Sequence, residues 1–212
     1  GFQYSDCWAD DSRLVVLNAM DAKARGAEVL TRTACVDIAQ AKDIQGWHVR
    51  LKDLYSGDEF QISAKAVVNA AGPWVRSILD SSLLAHDNTP HVRLVKGSHI
   101  IIPKIFEGEQ AYLLQQPDKR IVFAIPYETD FTLVGTTDVP FEGDAMMPVI
   151  DEGERQYLCD AINRFFEEPV SPDSIFRTYS GVRALFDDGA GQAQKITRDY
   201  HLELDVSSGS PI

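Results

Sequence analysis

Residues 91–138 contain four apolar runs rich in β-branched and aromatic side chains: "HVRLVKGSHIIIP", "QAYLLQQ", "RIVFAIPY" and "FTLVGTTD". Turn chemistry separates them, with Pro117-Asp118 before the third run and Glu128-Thr129-Asp130 before the fourth. Runs of this length, closely spaced and joined by turn residues, predict an antiparallel meander. Few other sequence features restrict a chain so tightly, because short connections leave parallel strands no room for a crossover. One helix is predicted after the meander, in "DEGERQYLCDAINRFFEE". Asp151 and Glu154 have the spacing of a capping box, Tyr157, Leu158, Ala161, Ile162 and Phe165 form one apolar stripe, and Pro169 ends it. The plain reading of that stripe is core packing. Two further strands are predicted in "SIFRTYSGVRALF" and "QKITRDYHLEL".

The first part of the chain has a different texture. Asp10, Asp11 and Ser12 offer an N-cap for a helix through "RLVVLNAMDAKAR", and Gly26 suits its C-terminal end. Leu14, Val15, Val16 and Leu17 make that helix apolar on most sides, which predicts packing between neighbours. One or two strands are expected in "AEVLTRTACVDI", then a hairpin turning at Ser56-Gly57. A buried strand, "AKAVVNAAG", follows, and then a short helix opening at Pro73. This order reads as the later half of a dinucleotide-binding domain. The expected class is therefore α+β / α/β, part of a Rossmann-like domain plus an antiparallel substrate sheet with flanking helices. The boundaries fall at 1–88 for the partial Rossmann-like domain, 89–178 for the substrate sheet and 179–212 for return strands bearing two arginines.

A formal net charge of -12 and a pI near 4.7 argue against nucleic acid, which needs a clustered basic surface. They also argue against non-specific attraction to anionic lipid. No apolar run approaches the roughly 18 to 20 residues of a membrane span. Cys7, Cys35 and Cys159 are odd in number, widely spaced and outside any CxxC pattern, so a reducing compartment is expected. No group of side chains has metal-site spacing.

Against this acidic background, Arg183 and Arg198 stand on strand-like runs on either side of a Gly/Asp/Gln loop. Guanidinium forks suit carboxylate or phosphate. Spacing alone favours the plainer reading, a surface network with Asp187, Asp188 and Asp199. "KGSH" reads as a turn that breaks the strand ladder and aims His99 at a cleft; the bland alternative is a half-buried histidine with a backbone partner. In "VVNAAGPW", small residues before Pro73 let the backbone approach a ligand closely, although many strand-to-helix turns use Gly-Pro.

Taken together, "YSDCW", "VVNAAGPWV", "RLVKGSHI", "GTTDV", "YSGVR.LFDD" and "QKITRDYHLEL" appear in the order of the FAD-dependent glycerol-3-phosphate dehydrogenases, and the chain resembles that family along its whole length. The resemblance implies a flavoprotein of the glycine oxidase and D-amino-acid oxidase structural class. It would oxidise sn-glycerol 3-phosphate to dihydroxyacetone phosphate by hydride transfer to FAD and pass electrons to quinone. It also implies roles for residues: Arg183 beside the reacting oxygen and flavin, Arg198 on the substrate phosphate, and His99 as a hydrogen-bonding or proton-transfer group. Ala70, Ala71 and Gly72 would approach FAD by backbone with Trp74 beside them, and Cys35 would contact adenine through its main chain. The implied location is cytoplasmic, peripheral on the inner face of the membrane, and exposed sheet edges would allow a homodimer.

Departures from the family pattern shape further expectations. The sequence contains no Gly-x-Gly-x-x-Gly, and Ala184 stands where the family has Pro after the arginine. The chain is thus expected to be an internal segment, catalytically silent alone and a poor FAD binder. Two alternatives remain open at the level of sequence. One is an amine or amino-acid oxidase of the same structural class; the other is a non-catalytic ligand-binding module whose Arg and Asp groups form only a surface network.

Overall fold

The computed structural model describes residues 1–81, 92–186 and 200–204. The chain divides into two units, Gly1–Ala66 and Val67–Ile212. In the first, helix α1 (Asp11–Ala24) begins at Asp10, whose carboxylate accepts from the Arg13 N–H. Three antiparallel strands follow, β1 (Thr33–Gln40), β2 (Trp47–Asp53) and β3 (Glu59–Ala64), in that spatial order. The hairpin turns as expected, because the Asp53 carboxylate accepts from the N–H groups of Tyr55 and Ser56. Ile38, Trp47 and Val49 form the buried centre of this small sheet.

Two expectations fail in these regions. Helix α1 buries none of its residues, and Leu14, Val15, Val16 and Leu17 are all exposed. Its apolar sides have no partner element within the described first unit, so composition alone misjudged its packing. The strand expected in "AKAVVNAAG" stops at Ala64, and Val68 is 87% exposed. Residues 66–71 have no strand alongside them among the described residues, so their apolar side chains cannot recruit a ladder.

The second unit contains a 3-10 turn at Gly72–Trp74, helix α2 (Val75–Ser81) and a six-stranded antiparallel sheet. Its strands are β4 (Val92–Pro103), β5 (Tyr112–Gln115), β6 (Ile121–Tyr127), β7 (Phe131–Gly135), β8 (Val139–Pro140) and β9 (Arg177–Phe186). The meander β5-β6-β7 is flanked by β4, a Greek-key order, and β9 lies along the other side of β4. Helix α3 (Glu152–Asn163) carries the expected capping box: Asp151 accepts from Glu154 N–H while Glu154 accepts from Asp151 N–H. Its buried residues Leu158, Ala161 and Ile162 join Ile100, Ile102, Leu114, Val122, Ala124 and Val134 in one core. This core fixes the sheet's orientation, because Ile100 and Ile102 occupy alternate positions on β4 and so face the helix together. The intervening residues of β4 face the other way.

"KGSH" does not form the expected turn. Strand β4 runs through it without a break, paired with β9 from Val92 to Ile101. Only the opposite edge is interrupted: β8 pairs at Val95 and Lys96, and β7 takes over at His99. The strand expected at 194–204 is not seen in its described part, since residues 200–204 are irregular.

Candidate functional site

The face of the sheet away from α3 is assembled by cross-strand register. Val95 lies opposite Arg183, Gly97 opposite Gly181, and His99 between Tyr179 on β9 and Gly135 on β7. Directly opposed residues in a sheet project from the same face, so Gly97, His99, Gly135, Tyr179, Gly181 and Arg183 share one surface. The glycines are what allow the others to lie down. A Cβ at Gly135 would collide with the His99 ring, and one at Gly97 would stand 2.6 Å from Arg183 Nη2 and 2.9 Å from its Cζ. A Cβ at Gly181 would meet nothing within 4 Å, so the face is open there.

Within this face His99 stacks on Tyr179, with centroids 4.8 Å apart and planes 7° from parallel. Arg183 Nη1 donates to Asp138 Oδ1 at 2.8 Å, and Nη2 donates to Thr136 Oγ1 at 3.2 Å. The Asp138 side chain is 11% exposed against 31% for Arg183, so the counter-charge sits deeper than the guanidinium. A charge-assisted bond of this kind fixes direction as well as distance. Chemically, this face presents a braced guanidinium and an imidazole, groups that can hold an anion and move a proton.

On the opposite face of β4, Lys96 and Ser98 meet α3. Glu154, 5% exposed, accepts from Lys96 Nζ at 2.8 Å, Ser98 Oγ at 2.9 Å and Thr137 Oγ1 at 2.7 Å. Burial pushes its carboxyl up, but the bonds from Lys96, the Asp151 N–H, Thr137 and Ser98 together hold it below the usual carboxylate range. Ser98 Oγ also bonds Ser180 Oγ at 2.8 Å, linking β4 to β9. Sequence reading missed Asp138, Thr136 and this buried network. The available signals were a lysine inside a β-branched strand and a capping glutamate on the apolar side of its helix.

Of the residues nominated by sequence, His99 and Arg183 are brought to one face. The Gly72–Trp74 turn packs beside β9 in the same unit. Its shape is set by Asn69, whose Oδ1 accepts from Ala71 N–H and whose Nδ2 donates to Val75 O; Gly72 holds φ at +55°. Ala70 and Gly72 are exposed, and Trp74 is 42% exposed. Cys35 belongs to the first unit, exposed on β1 at a break in register before Asp37. Arg198 lies outside the described residues, as do Lys195, Thr197 and the acids Asp187, Asp188 and Asp199.

The second unit is a helix-backed antiparallel sheet that carries a braced arginine and a histidine on one face. The family model described as FAD dependent oxidoreductase matches residues 1–208, and the chain belongs to that family. The chain is 46% identical over 212 residues to D-erythritol 1-phosphate dehydrogenase of Brucella abortus, covering all of this chain and 42% of that protein. It is likewise 46% identical over 212 residues to glycerol-3-phosphate dehydrogenase of Pseudomonas aeruginosa, covering all of this chain and 40% of the relative. Among solved structures, glycerol-3-phosphate dehydrogenase from Bacillus halodurans complexed with FAD superposes with a TM-score of 0.75 at 30% identity, over 84% of this chain and 36% of that one. The chain thus spans about two fifths of the length of the curated relatives it matches.

Proposed function

We propose that this chain supplies the substrate sheet and part of the flavin scaffold of a dehydrogenase that oxidises sn-glycerol 3-phosphate to dihydroxyacetone phosphate. The observation that carries the reading is the shared face of Arg183 and His99, cleared by Gly97, Gly135 and Gly181. Asp138 and Thr136 take one edge of the guanidinium and fix the direction of its remaining donors. Arg183 then orients the reacting oxygen of the substrate. His99, held flat by Tyr179 and Gly135, hydrogen-bonds the C2 hydroxyl and takes its proton. Arg198 closes on the phosphate dianion.

The residues present fit FAD. Ala70 and Gly72 are exposed and Ala71 is half-buried, all three without bulky side chains, next to the strand that bears Arg183, and Trp74 lies beside them. Cys35 would meet the adenine end through its main chain. When bound, FAD would supply the acceptor for the hydride from C2, and quinone at the inner face of the cytoplasmic membrane would take the electrons. No helix among the described residues is long and apolar enough to cross a membrane.

The relative named for D-erythritol 1-phosphate is as identical to this chain as the one named for glycerol 3-phosphate, and this favours a second reading in which the longer polyol phosphate is the substrate. Anaerobic flavin reduction in the flavoprotein that carries this chain separates the readings. Bleaching by glycerol 3-phosphate at lower concentration than by D-erythritol 1-phosphate is expected, and amino acids should have no effect. Reduction by amino acids alone would overturn the assignment to polyol phosphates.

A further inference from the structure

We propose that Thr137, held from behind the sheet by Glu154, is a positioning residue for Arg183; its catalytic part rests on the function proposed above. The path runs by two hydrogen bonds to the Thr137 backbone and by a third from the Thr137 side chain. Arg183 Nη2 donates to Thr136 Oγ1 at 3.2 Å, and Thr136 Oγ1 donates to the Thr137 carbonyl at 3.1 Å. Thr137 Oγ1 in turn donates to Glu154 Oε1 at 2.7 Å. The Glu154 carboxylate is fixed from its other side by Lys96 Nζ at 2.8 Å. A buried network whose groups are satisfied holds a single geometry.

Thr137 occupies the place where the sheet would otherwise be loose. The ladder between β4 and its β7/β8 side is interrupted between Lys96 and His99. Thr137 fills that gap with its side chain: Oγ1 accepts from Ser98 N–H at 2.9 Å, and its own N–H donates to Ser98 O at 3.4 Å. Its two sequence neighbours, Thr136 and Asp138, are the residues that hold Arg183. One hydroxyl, 1% exposed as a residue, therefore pins the segment that aims the guanidinium and the strand position next to His99. Glu154 does this from a helix on the far face, without touching the substrate side.

The test compares Thr137→Val, which keeps the shape and removes the hydroxyl, with Thr137→Ser, which keeps the hydroxyl and removes the methyl. In the flavoprotein, Thr137→Val should lower kcat/KM for the polyol phosphate roughly tenfold to a hundredfold, the penalty of about 1 Å of misplacement. Thr137→Ser should stay within about threefold of the parent, and both should retain flavin. Equal activity of the two variants would overturn the proposal, because a purely structural residue would be judged by stability and not by its hydroxyl. A second readout is independent of catalysis: the 15Nε resonance of Arg183 in the 212-residue chain. It should move with Thr137→Val and stay with Thr137→Ser; no movement in either overturns the positioning role. Movement in a protein that oxidises no polyol phosphate would sink only the functional reading. If Thr137→Val fails to fold, Glu154→Gln should shift the same resonance, and an unchanged resonance there overturns the proposal.

Discussion

Gly97→Ala is expected to separate folding from function. The added methyl would stand 2.6 Å from Arg183 Nη2, 2.7 Å from Thr136 Oγ1 and 2.9 Å from Arg183 Cζ. Non-bonded heavy atoms settle at about 3.5 Å or more, so the guanidinium must retreat by roughly 1 Å. Its 2.8 Å bond to Asp138 would then stretch beyond ordinary hydrogen-bond range. Gly97 is not among the positive-φ glycines, so alanine suits its backbone. Relief of glycine's conformational entropy in a strand is worth about 0.5 to 1 kcal/mol. That offsets much of the steric cost, because the nearest atom is the far end of a long arginine side chain. The melting temperature should therefore move by no more than about 2 to 4 °C, the shift expected for about 1 kcal/mol in a domain of this size. Activity should respond very differently: about 1 Å of misplacement costs on the order of a hundredfold in rate, or about 2.7 kcal/mol. Initial rates with an artificial electron acceptor, together with a thermal melt, measure both. A kcat/KM within about threefold of the parent would refute the reasoning.

Other outcomes follow from the same geometry. Lys96→Met leaves Glu154 buried without its cation and should cost about 3 to 5 kcal/mol, measured by urea unfolding. Because the folded Glu154 carboxyl lies below its ordinary value of 4.5, its stabilisation is complete above that pH and is lost as pH falls through the lowered value. Glu154→Gln should accordingly flatten the acid limb of stability below about pH 4.5. Burial pushes the Cys159 thiol up to about 11, so brief alkylation at neutral pH should label the exposed Cys7 and Cys35 and reach Cys159 only after unfolding. The 212-residue chain, which has no Gly-x-Gly-x-x-Gly, should purify without stoichiometric FAD and show no turnover; a yellow, active preparation would contradict this.

The legible parts of the fold were those governed by local chemistry. Turn residues and apolar runs located β4, β5, β6 and β7, and the Asp151–Glu154 spacing placed the start of α3. Apolar content without a partner was misleading, both in α1 and in residues 66–71, because burial depends on what lies alongside. At the site, motif resemblance nominated His99 and Arg183, and register places them on one face. The companions of Arg183 were not legible, since Asp138 and Thr136 lie 45 and 47 residues away in sequence. Glu154 was read only as a cap; its bond to Ser98 crosses 56 residues and no local pattern announces it.

Strand β4 serves as a party wall. Lys96, Ser98, Ile100 and Ile102 answer to the helix side, while Gly97 and His99 answer to the open side. Tolerance to substitution between Lys96 and Ile100 should therefore alternate residue by residue, with stability lost at the even positions and turnover at Gly97 and His99, while Val95 and Ile101, buried at odd positions, answer to stability. A lineage changing its ligand could refit the neighbourhood of Gly97 and His99 while the even positions kept the foundations unchanged.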